Sequence, residues 1–337
     1  MPERGITFAL TGDVMLGRGV DERLRDAPPD FAWSDLLETL RGADVTLSNL
    51  ESPVADGGRP WRETHRVFHF RGGPHAIDVL KAAGIDCVNL ANNHALDYGR
   101  EALIETLDRL DAAGIAHVGA GRNLKEARRP IVLDRGGLRI GILGACDDPP
   151  EYAAAADRAG THRIDIEEPG LHALHEIVAD LRDRCDVVIL SIHWGPNMRL
   201  EPSEAFQRFA RAAVDAGVNL YHGHSAHVFQ GIEWRGRRVI LYDTGDFLDD
   251  YAVDPELHND WGLLYRGEIS AGSVDRLEVI PVLLEFARTR AARGEEVTAI
   301  HGRLATLCRP FGTVIGGDAP PWRIEPKQPV KENGETP

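Results

Sequence analysis

Strand-like apolar runs alternate with segments whose apolar residues recur at helical spacing along most of the chain. Such runs lie at residues 6–10, 45–48, 86–90, 138–143, 186–192 and 218–221. Between them, residues 101–113 place Leu103 and Leu107 on one face of a predicted helix. Gly114 then marks the end of this helix. Strands that alternate with amphipathic helices are typical of α/β folds, in which many strands run parallel.

The last third of the chain changes to a mostly β pattern. Residues 263–269 and 274–281 predict a pair of antiparallel strands, and residues 283–307 predict one or two helices. The stretch 147–170 is rich in proline, alanine and acidic residues, so we predict an irregular insertion that acts as a lid over a site. This mixture predicts two sheets packed face to face with helices outside.

The chain of 337 residues shows no internal repeat and no clear linker, which predicts a single domain over residues 1–326. We expect its core over residues 5–282 and a C-terminal helical extension over residues 283–326. The polar, proline-containing stretch 327–337 predicts a disordered tail. The expected fold class is α/β (α+β) with two mixed sheets.

The formal net charge of −15 argues against a surface that binds DNA or RNA. A small anionic substrate would therefore need a local positive site, such as metal ions or a few arginines. The four cysteines are far apart and form no Cys-x-x-Cys pair, which predicts free thiols in a reducing compartment. We see no signal peptide and no apolar run long enough to span a bilayer. These features predict a cytoplasmic protein without a membrane segment, and they leave the oligomeric state open.

Polar side chains that can bind metals or move protons follow several of the predicted strands. They are Asp13, Glu51, Asn93, His94, His193, His224 and His227. Because parallel strands end at the same edge of a sheet, we expect these side chains to lie close together. Oxygen and imidazole ligands without a thiolate suit manganese, iron or zinc, and argue against a structural zinc site. A bridging carboxylate can hold two such ions roughly 3.5–4 Å apart.

Each of these residues also has a structural interpretation. Asp13 can be a turn residue after Gly12, and Asn93 can be the N-cap of the following helix. His193 beside Trp194 can be a hydrogen-bonded core histidine. Two histidines three residues apart after Gly223 are a more specific metal signal, although His222 leaves open which imidazoles point inward.

Six motifs occur in an order that is similar to one known family. They are residues 12–18 (GDVMLGR), 49–53 (NLESP), 90–94 (LANNH) with 97–99 (DYG), 193–195 (HWG), Gly223-His224 with His227 and Gln230, and Tyr242 with Gly245 and Phe247. On these residues the chain resembles the CapA/PgsA group, which is named for poly-γ-glutamate capsule synthesis. This group lies within the calcineurin-like metallophosphoesterase superfamily. The resemblance covers about residues 5–250 and implies a four-layer α-β-β-α sandwich with a dinuclear metal site at the strand ends.

The resemblance also implies roles for single residues. Asp13 and His227 would bind the first ion, and Asn93, His193 and His224 would bind the second ion. Glu51 takes the place of the bridging carboxylate. His94 stands where the superfamily keeps a phosphate-contacting general acid, and Asp97 is expected to orient it. Arg18 would meet substrate oxyanions, because a guanidinium pairs bidentately with phosphate or carboxylate.

The chain departs from the family pattern at several places. Met15 replaces the histidine that phosphoesterases usually have two residues after the first aspartate, which weakens the first metal site. Asp243, Thr244 and Asp246 replace the more usual Ser, Leu and Asn around Gly245. The N-terminal membrane anchor of capsule-assembly members is also missing, which argues against the capsule assignment more than against an enzyme.

Three functional hypotheses follow from these residues. The first is a metal-dependent hydrolase that cleaves a phosphoester with one or two divalent transition metal ions (Mn, Fe or Zn). The second keeps the site but acts on a γ-glutamyl amide, whose carboxylates would be bound by His65, Arg66, His69 and Arg71. The third is a non-catalytic accessory protein of capsule or polymer synthesis. The expected partner in the enzymatic cases is a small anionic substrate.

Overall fold

The computed structural model describes residues 5–166 and 168–326. The tail predicted at residues 327–337 lies outside the described residues. The strands in chain order are β1 Ile6–Val14, β2 Val45–Leu50, β3 Cys87–Asn89, β4 Ala116–Val118, β5 Ala120–Gly121, β6 Ile131–Arg135, β7 Leu138–Cys146, β8 Gly160–Thr161, β9 Val187–His193, β10 Leu220–His224, β11 Ile232–Arg235, β12 Arg238–Leu241, β13 Asp246–Leu248, β14 Trp261–Ser270, β15 Ser273–Glu285, β16 Arg288–Ala291, β17 Thr313–Gly316 and β18 Trp322–Pro326.

The helices connect and flank these strands. In chain order they are α1 Arg18–Arg25, α2 Leu37–Arg41, α3 His75–Ala82, α4 Gly99–Ala113, α5 Leu124–Ala127, α6 Glu168–Arg184, α7 Glu204–Ala216 and α8 Glu295–Cys308. Short 3₁₀ turns lie at Phe31–Leu36, Pro150–Tyr152 and Arg309–Phe311. Gly114 ends α4 at φ +71°, as the sequence predicts. At the start of α7, the Ser203 hydroxyl accepts a hydrogen bond from the Phe206 N–H.

Two mixed sheets form the centre of the molecule. The first sheet has the strand order β17-β18-β15-β14-β1-β2-β3-β4, with β13 also beside β1 and β16 beside β15. The second sheet has the order β11-β12-β10-β9-β7-β6. Strands β1, β2 and β3 run parallel in one sheet, as do β7, β9, β10 and β12 in the other. The carboxyl ends of these parallel strands supply the candidate site described below.

Three apolar cores show how the layers pack. The core between the two sheets contains Phe8 and Leu10 of β1 together with Ile189 of β9. A second core packs α1, α3 and α4 on the outer face of the first sheet, and a third packs α6 and α7 on the outer face of the second sheet. The layers are therefore helices, sheet, sheet and helices, which confirms the predicted four-layer α/β sandwich.

The predicted C-terminal helical extension over residues 283–326 is wrong for most of its length. Residues up to Glu285 complete β15, Arg288–Ala291 form β16, and α8 is followed by β17 and β18. In this region Leu283 lies opposite Trp261 of β14 on one side and opposite Arg290 of β16 on the other. A short apolar run does not distinguish a strand from a helix by itself, and sheet pairing decided the outcome here.

The stretch 147–170 is irregular only in part. A 3₁₀ turn covers Pro150–Tyr152, the short strand β8 pairs with β5, and α6 begins at Glu168. The Tyr152 side chain is fully buried and points inward. This part of the stretch therefore packs into the first sheet's helical layer, and a role as a lid stays a prediction. Within residues 5–166 and 168–326, no helix combines the length and the apolar character needed to cross a membrane.

Candidate metal centre

Side chains from both sheets converge where the parallel strands end. Asp13 lies near the end of β1, Glu51 directly follows β2, and Asn93 and His94 follow β3. From the second sheet, His193 ends β9 and His224 ends β10, and these two residues lie opposite each other in the ladder. The structure thus brings together Asp13, Glu51, His94, His193, His224 and His227, as several short distances between their atoms show.

The sequence around Gly12 explains how Asp13 is placed. β1 runs parallel to β13, with Asp13 opposite Asp246, and the Asp13 N–H donates to the Gly245 carbonyl over 2.9 Å. A Cβ atom at Gly12 would lie 1.8 Å from the Gly245 oxygen, so only glycine allows this approach. As a result, Asp13 and Asp246 form a pair of buried carboxylates on adjacent strands. Asp13 was predicted as a site residue from the sequence, and the structure adds Asp246.

We call Asp13, Asp246 and His227 the carboxylate corner of the centre. His227 Nδ1 lies 2.8 Å from Asp246 Oδ1 and 3.9 Å from Asp13 Oδ2. His227 holds this position with a φ of +59°, a left-handed conformation that costs a non-glycine residue about 1–2 kcal/mol. Donor atoms of these three residues and of Glu51 all lie within 4.8 Å of one another.

We call His193 and His224, together with Asn93, which the resemblance implies as their fellow ligand and whose Oδ1 is buried without a partner, the imidazole corner. His193 Nε2 lies 3.4 Å from Glu51 Oε1, and His224 Nδ1 lies 3.8 Å from Asp13 Oδ1. Glu51 therefore contacts both corners. Its second oxygen, Oε2, accepts a hydrogen bond from the Tyr251 hydroxyl over 3.2 Å. This position is the one expected of a bridging carboxylate.

Buried polar atoms without a hydrogen-bond partner are concentrated at this centre. Among the described residues they include Asp13 Oδ2, Glu51 Oε1, His193 Nε2, His224 Nδ1 and Asp246 Oδ2, and Asn93 Oδ1, one residue before His94 in the chain, is also buried without a partner. Leaving one such atom without a partner costs about 1–3 kcal/mol, so a cluster of them needs a bound species to compensate it. All of these atoms are lone-pair donors of the kind that manganese, iron and zinc bind. The residues present therefore fit a divalent metal centre.

The pKa values in the two corners shift in opposite directions. Burial and the neighbouring carboxylates Glu51 and Asp246 raise the pKa of Asp13 well above its usual value. Burial alone would lower the pKa of His227, but the surrounding carboxylates raise it well above its usual value. Burial, together with two nearby imidazoles, lowers the pKa of His224. The carboxylate corner thus carries surplus negative charge that a cation would relieve.

The bridging position favours an ionised carboxylate. Burial tends to raise the pKa of Glu51, but the neighbouring imidazoles of His193, His227 and His94 lower it to about 2. Glu51 is fully buried and its Oε1 atom has no hydrogen-bond donor among the described residues. A buried charge in this state needs a neighbouring cation to stabilise it.

His94 lies at the edge of the centre and is held by a dense set of contacts. Its Nδ1 lies 2.6 Å from Asp97 Oδ2, and its Nε2 lies 3.9 Å from Glu51 Oε1. The ring stacks on Phe70 at a centroid distance of 4.0 Å. Asp97 accepts further hydrogen bonds from the Phe70 N–H over 2.7 Å and from the Tyr152 hydroxyl over 3.1 Å. Because an ionised carboxylate only accepts, His94 Nδ1 donates to Asp97 and Nε2 faces the centre.

Arg18 forms an ion pair with a carboxylate of the protein itself. Its guanidinium makes two hydrogen bonds to Asp250, of 2.5 and 3.2 Å. It also lies 5.1 Å from the ring centroids of Phe68 and Phe70 and 5.7 Å from that of Tyr251. Asp250 neutralises much of the Arg18 charge, so a role of Arg18 in binding substrate oxyanions stays a prediction.

Met15 occupies the place where the resemblance implies a histidine ligand. Its side chain is fully buried in the helical core of the first sheet. Its sulfur accepts a hydrogen bond from the Gly17 N–H over 3.0 Å. The carboxylate of Asp246 lies instead on the neighbouring strand β13, opposite Asp13. Asp246 is therefore a third carboxylate beside Asp13 and Glu51, in the group of residues for which Met15 had suggested a missing ligand.

Sequence reasoning missed three residues that the structure brings to the centre. Asp246 directly follows the Asp243-Thr244-Gly245 turn after a strand-like run, a signal of the same kind as those that identified Asp13 and Glu51. Tyr251 contacts Glu51, and Tyr152 contacts Asp97, across 200 and 55 residues of sequence. No local pattern predicts these two contacts, because they depend on the packing of separate loops.

Comparisons with known proteins agree with the resemblance seen in the sequence. Residues 7–251 match the family described as "Bacterial capsule synthesis protein PGA_cap". The chain is 31% identical to a Mycobacterium tuberculosis protein named "Probable polyglutamine synthesis accessory protein", over 91% of this chain and 92% of that one. It is 28% identical to the "Capsule biosynthesis protein CapA" of Bacillus anthracis, over 73% of this chain and 60% of the relative.

Solved structures show similarity at low sequence identity. A hypothetical protein from Thermus thermophilus is 15% identical with a TM-score of 0.44, over 85% of this chain and 96% of that one. The sulfate thiohydrolase SoxB from Thermus thermophilus is also 15% identical, with a TM-score of 0.41 over 86% of this chain and 46% of SoxB.

Proposed function

The chain belongs to the PGA_cap family of bacterial capsule synthesis proteins, and we propose that it is a metal-dependent hydrolase that cleaves a phosphoester. The observation that supports this proposal is the set of buried lone-pair atoms without partners at the strand ends. Asp13, Asp246 and His227 would hold one divalent ion, and Asn93, His193 and His224 would hold a second ion. Glu51 would contact both ions.

A bound ion of this kind supplies an activated water molecule and stabilises developing negative charge. The protein's own contribution is acid catalysis and positioning. His94 presents Nε2 to the centre while its Nδ1–H donates to Asp97, whose carboxylate stabilises the imidazolium form of the ring. In that form Nε2–H can donate its proton to the leaving oxygen of a bound ester, which leaves the neutral imidazole with its hydrogen on Nδ1. Phe70 limits the rotation of the His94 ring, and Tyr152 and the Phe70 N–H fix Asp97.

Hydrolysis of p-nitrophenyl phosphate and bis-p-nitrophenyl phosphate tests this proposal. We expect the purified protein with Mn²⁺ to release p-nitrophenol from at least one of them. Chelation should stop the release, and added Mn²⁺ should restore it. A rate that survives complete chelation would contradict the proposal.

The substitution His94→Ala separates acid catalysis from metal binding. It should reduce kcat by about 10²–10⁴-fold without changing the metal content, because His94 contributes a proton rather than a ligand. His172→Ala is a suitable control, since His172 is exposed on α6. An unchanged rate in His94→Ala would refute the role of His94.

A second candidate reaction is hydrolysis or transfer at a γ-glutamyl amide. It is supported by the names of the relatives, which refer to polyglutamine synthesis and capsule biosynthesis, and by the basic stretch of residues 59–71. Here the Arg66 guanidinium lies 4.6 Å over the Tyr152 ring, and its buried Nη2 has no hydrogen-bond partner among the described residues. Arg71 stacks on Tyr98 and donates to the carbonyls of Asp56 and Gly57. These guanidinium groups are suited to binding substrate carboxylates.

Mass spectrometry after incubation with poly-γ-glutamate or γ-glutamyl peptides distinguishes the two reactions. Shortened or transferred products that require Mn²⁺ would support the amide reaction, and Arg66→Gln should then raise KM with little change in kcat. Intact peptides beside a cleaved phosphoester would exclude it.

An accessory role without catalysis is the third candidate, and the name of the Mycobacterium tuberculosis relative gives it support. Elemental analysis of the purified protein tests this role directly. Less than about one equivalent of transition metal, together with no thermal shift on addition of Mn²⁺, would favour an accessory protein over an enzyme.

A further inference from the structure

His222 is fully buried, and its ring centroid lies 4.9 Å from that of His224, a residue of the candidate metal centre. Its Nε2 lies 2.8 Å from the carbonyl oxygen of Thr11, and its Nδ1 lies 3.2 Å from the Ser191 hydroxyl. The same hydroxyl lies 2.9 Å from Nε2 of His224. Thr11, His222, Ser191 and His224 therefore form one continuous chain of hydrogen bonds that ends at a proposed metal ligand. We call these four residues the tautomer chain.

The direction of donation in the tautomer chain follows from its first member. A carbonyl oxygen can only accept, so His222 Nε2 carries a hydrogen and donates it to Thr11. Among the described residues, the ring nitrogens of His222 contact Thr11, Ser191 and Thr244 and no carboxylate that would support an imidazolium. His222 Nδ1 is therefore an acceptor for the Ser191 hydroxyl hydrogen. The Ser191 oxygen is then left to accept a hydrogen from His224 Nε2.

This direction decides which nitrogen of His224 has a free lone pair. With its hydrogen on Nε2, the neutral ring leaves Nδ1 unprotonated. His224 Nδ1 is buried, has no hydrogen-bond partner among the described residues, and lies 3.8 Å from Asp13 Oδ1. The free lone pair is thus on the nitrogen that faces the centre.

We propose that Ser191 and His222 are positioning residues that hold His224 in the Nε2–H tautomer and so present its Nδ1 lone pair to a divalent metal ion. The proposal rests on the metal centre of the proposed function, but it concerns the metal-free protein and does not require catalysis. Contacts of this kind fix the tautomer and the ring orientation of a ligand, and their loss typically weakens metal binding about 10–100-fold.

Nitrogen-15 NMR of the histidine rings in the metal-free protein is the first test. The His224 signals can be assigned by their loss in His224→Gln. We expect a protonated Nε2 and an unprotonated Nδ1 on His224, and the same pattern on His222. A His224 ring protonated at Nδ1, or an equal mixture of the two tautomers, would overturn the proposal without any variant of the chain.

Calorimetric titration with Mn²⁺ is the second test. Ser191→Ala removes the acceptor of the His224 Nε2–H and should weaken Mn²⁺ binding about 10–100-fold, whereas Ser191→Thr keeps a hydroxyl and should bind like the parent protein. Ser273→Ala is the matched control, because it removes a buried hydroxyl that contacts Arg237 and Asp275 away from the centre. Circular dichroism verifies that each variant is folded.

Two results of the titration would overturn the proposal. One is a Ser191→Ala protein that binds Mn²⁺ as tightly as the parent protein. The other is an equal loss of affinity in Ser273→Ala, which would show a general effect of losing a buried hydroxyl. A protein that shows the predicted tautomer and affinities but cleaves no ester would contradict only the proposed function.

Discussion

The two corners of the candidate metal centre differ in charge, although the same fold builds both of them. The carboxylate corner contains two carboxylates and a single imidazole, and its His227 contacts Asp246 directly over 2.8 Å. The imidazole corner contains only neutral donors, and the tautomer chain holds its His224. Glu51 lies between the two corners and is close to residues of both.

Because of this difference, the buried groups of the two corners need different compensation. In the carboxylate corner the protein itself supplies a partial substitute for a cation, because the surrounding carboxylates raise the pKa of His227. In the imidazole corner no charge needs compensation, and the lone pairs of Asn93, His193 and His224 are simply left without partners. We therefore expect the carboxylate corner to prefer harder ions such as manganese, and the imidazole corner to accept zinc or iron as well.

Glu51→Gln should have the largest effect, because it removes the one charge that both corners share. We expect metal content to fall in both corners and activity to fall to the rate of the chelated protein. Elemental analysis and the phosphoester assay measure these changes, and Glu38→Gln at an exposed position is the control. A Glu51→Gln protein that keeps both ions would show that the corners are independent.

His94→Asn should come next, with a loss of kcat of about 10²–10⁴-fold and no change in either corner. His94 contacts Asp97 and stacks on Phe70, but it is not among the proposed metal ligands. Steady-state kinetics together with metal analysis check this separation. A drop in metal content would mean that His94 belongs to the centre as a ligand.

Asp246→Asn should affect the carboxylate corner alone. The neutral amide keeps an oxygen near His227 but removes the charge, so Mn²⁺ binding there should weaken while the imidazole corner keeps its ion. Titration calorimetry should show one weakened site and one unchanged site. Asp56→Asn, at an exposed carboxylate, is the control. Equal weakening of both sites would contradict the division into two corners.

Tyr152→Phe should have the smallest effect. Loss of its hydrogen bond to Asp97 costs about 1 kcal/mol, which corresponds to roughly a fivefold lower kcat with unchanged metal affinity. Tyr265→Phe is a matched control, because the buried Tyr265 hydroxyl has no hydrogen-bond partner among the described residues. If the control loses as much activity as Tyr152→Phe, the hydrogen bond to Asp97 has no specific role.

Particular elements show where sequence reasoning succeeded and where it failed. The strands that carry Glu51, His193 and His224 were predicted because apolar runs ending in polar residues depend only on local sequence. The helical prediction for residues 283–291 was wrong, because pairing of β15 with β14 and β16 is a nonlocal interaction. Asp246, like Asp13, is an acidic residue that follows a strand-like apolar run. Its position beside Asp13, however, depends on the close approach of Gly12 and Gly245.

Sequence reasoning alone was enough for the alternation of strands and helices up to about residue 250, for the family, and for the residue types that end the parallel strands. These properties follow from hydrophobic spacing and from side-chain chemistry, which are local. Only the tertiary structure decided that Asp246 joins the carboxylate corner and that His222 contacts Thr11. It also decided that Arg18 pairs with Asp250. The physical reason is that a hydrogen bond or an ion pair depends on distances of about 3 Å between segments far apart in the chain, and only packing of the two sheets fixes those distances.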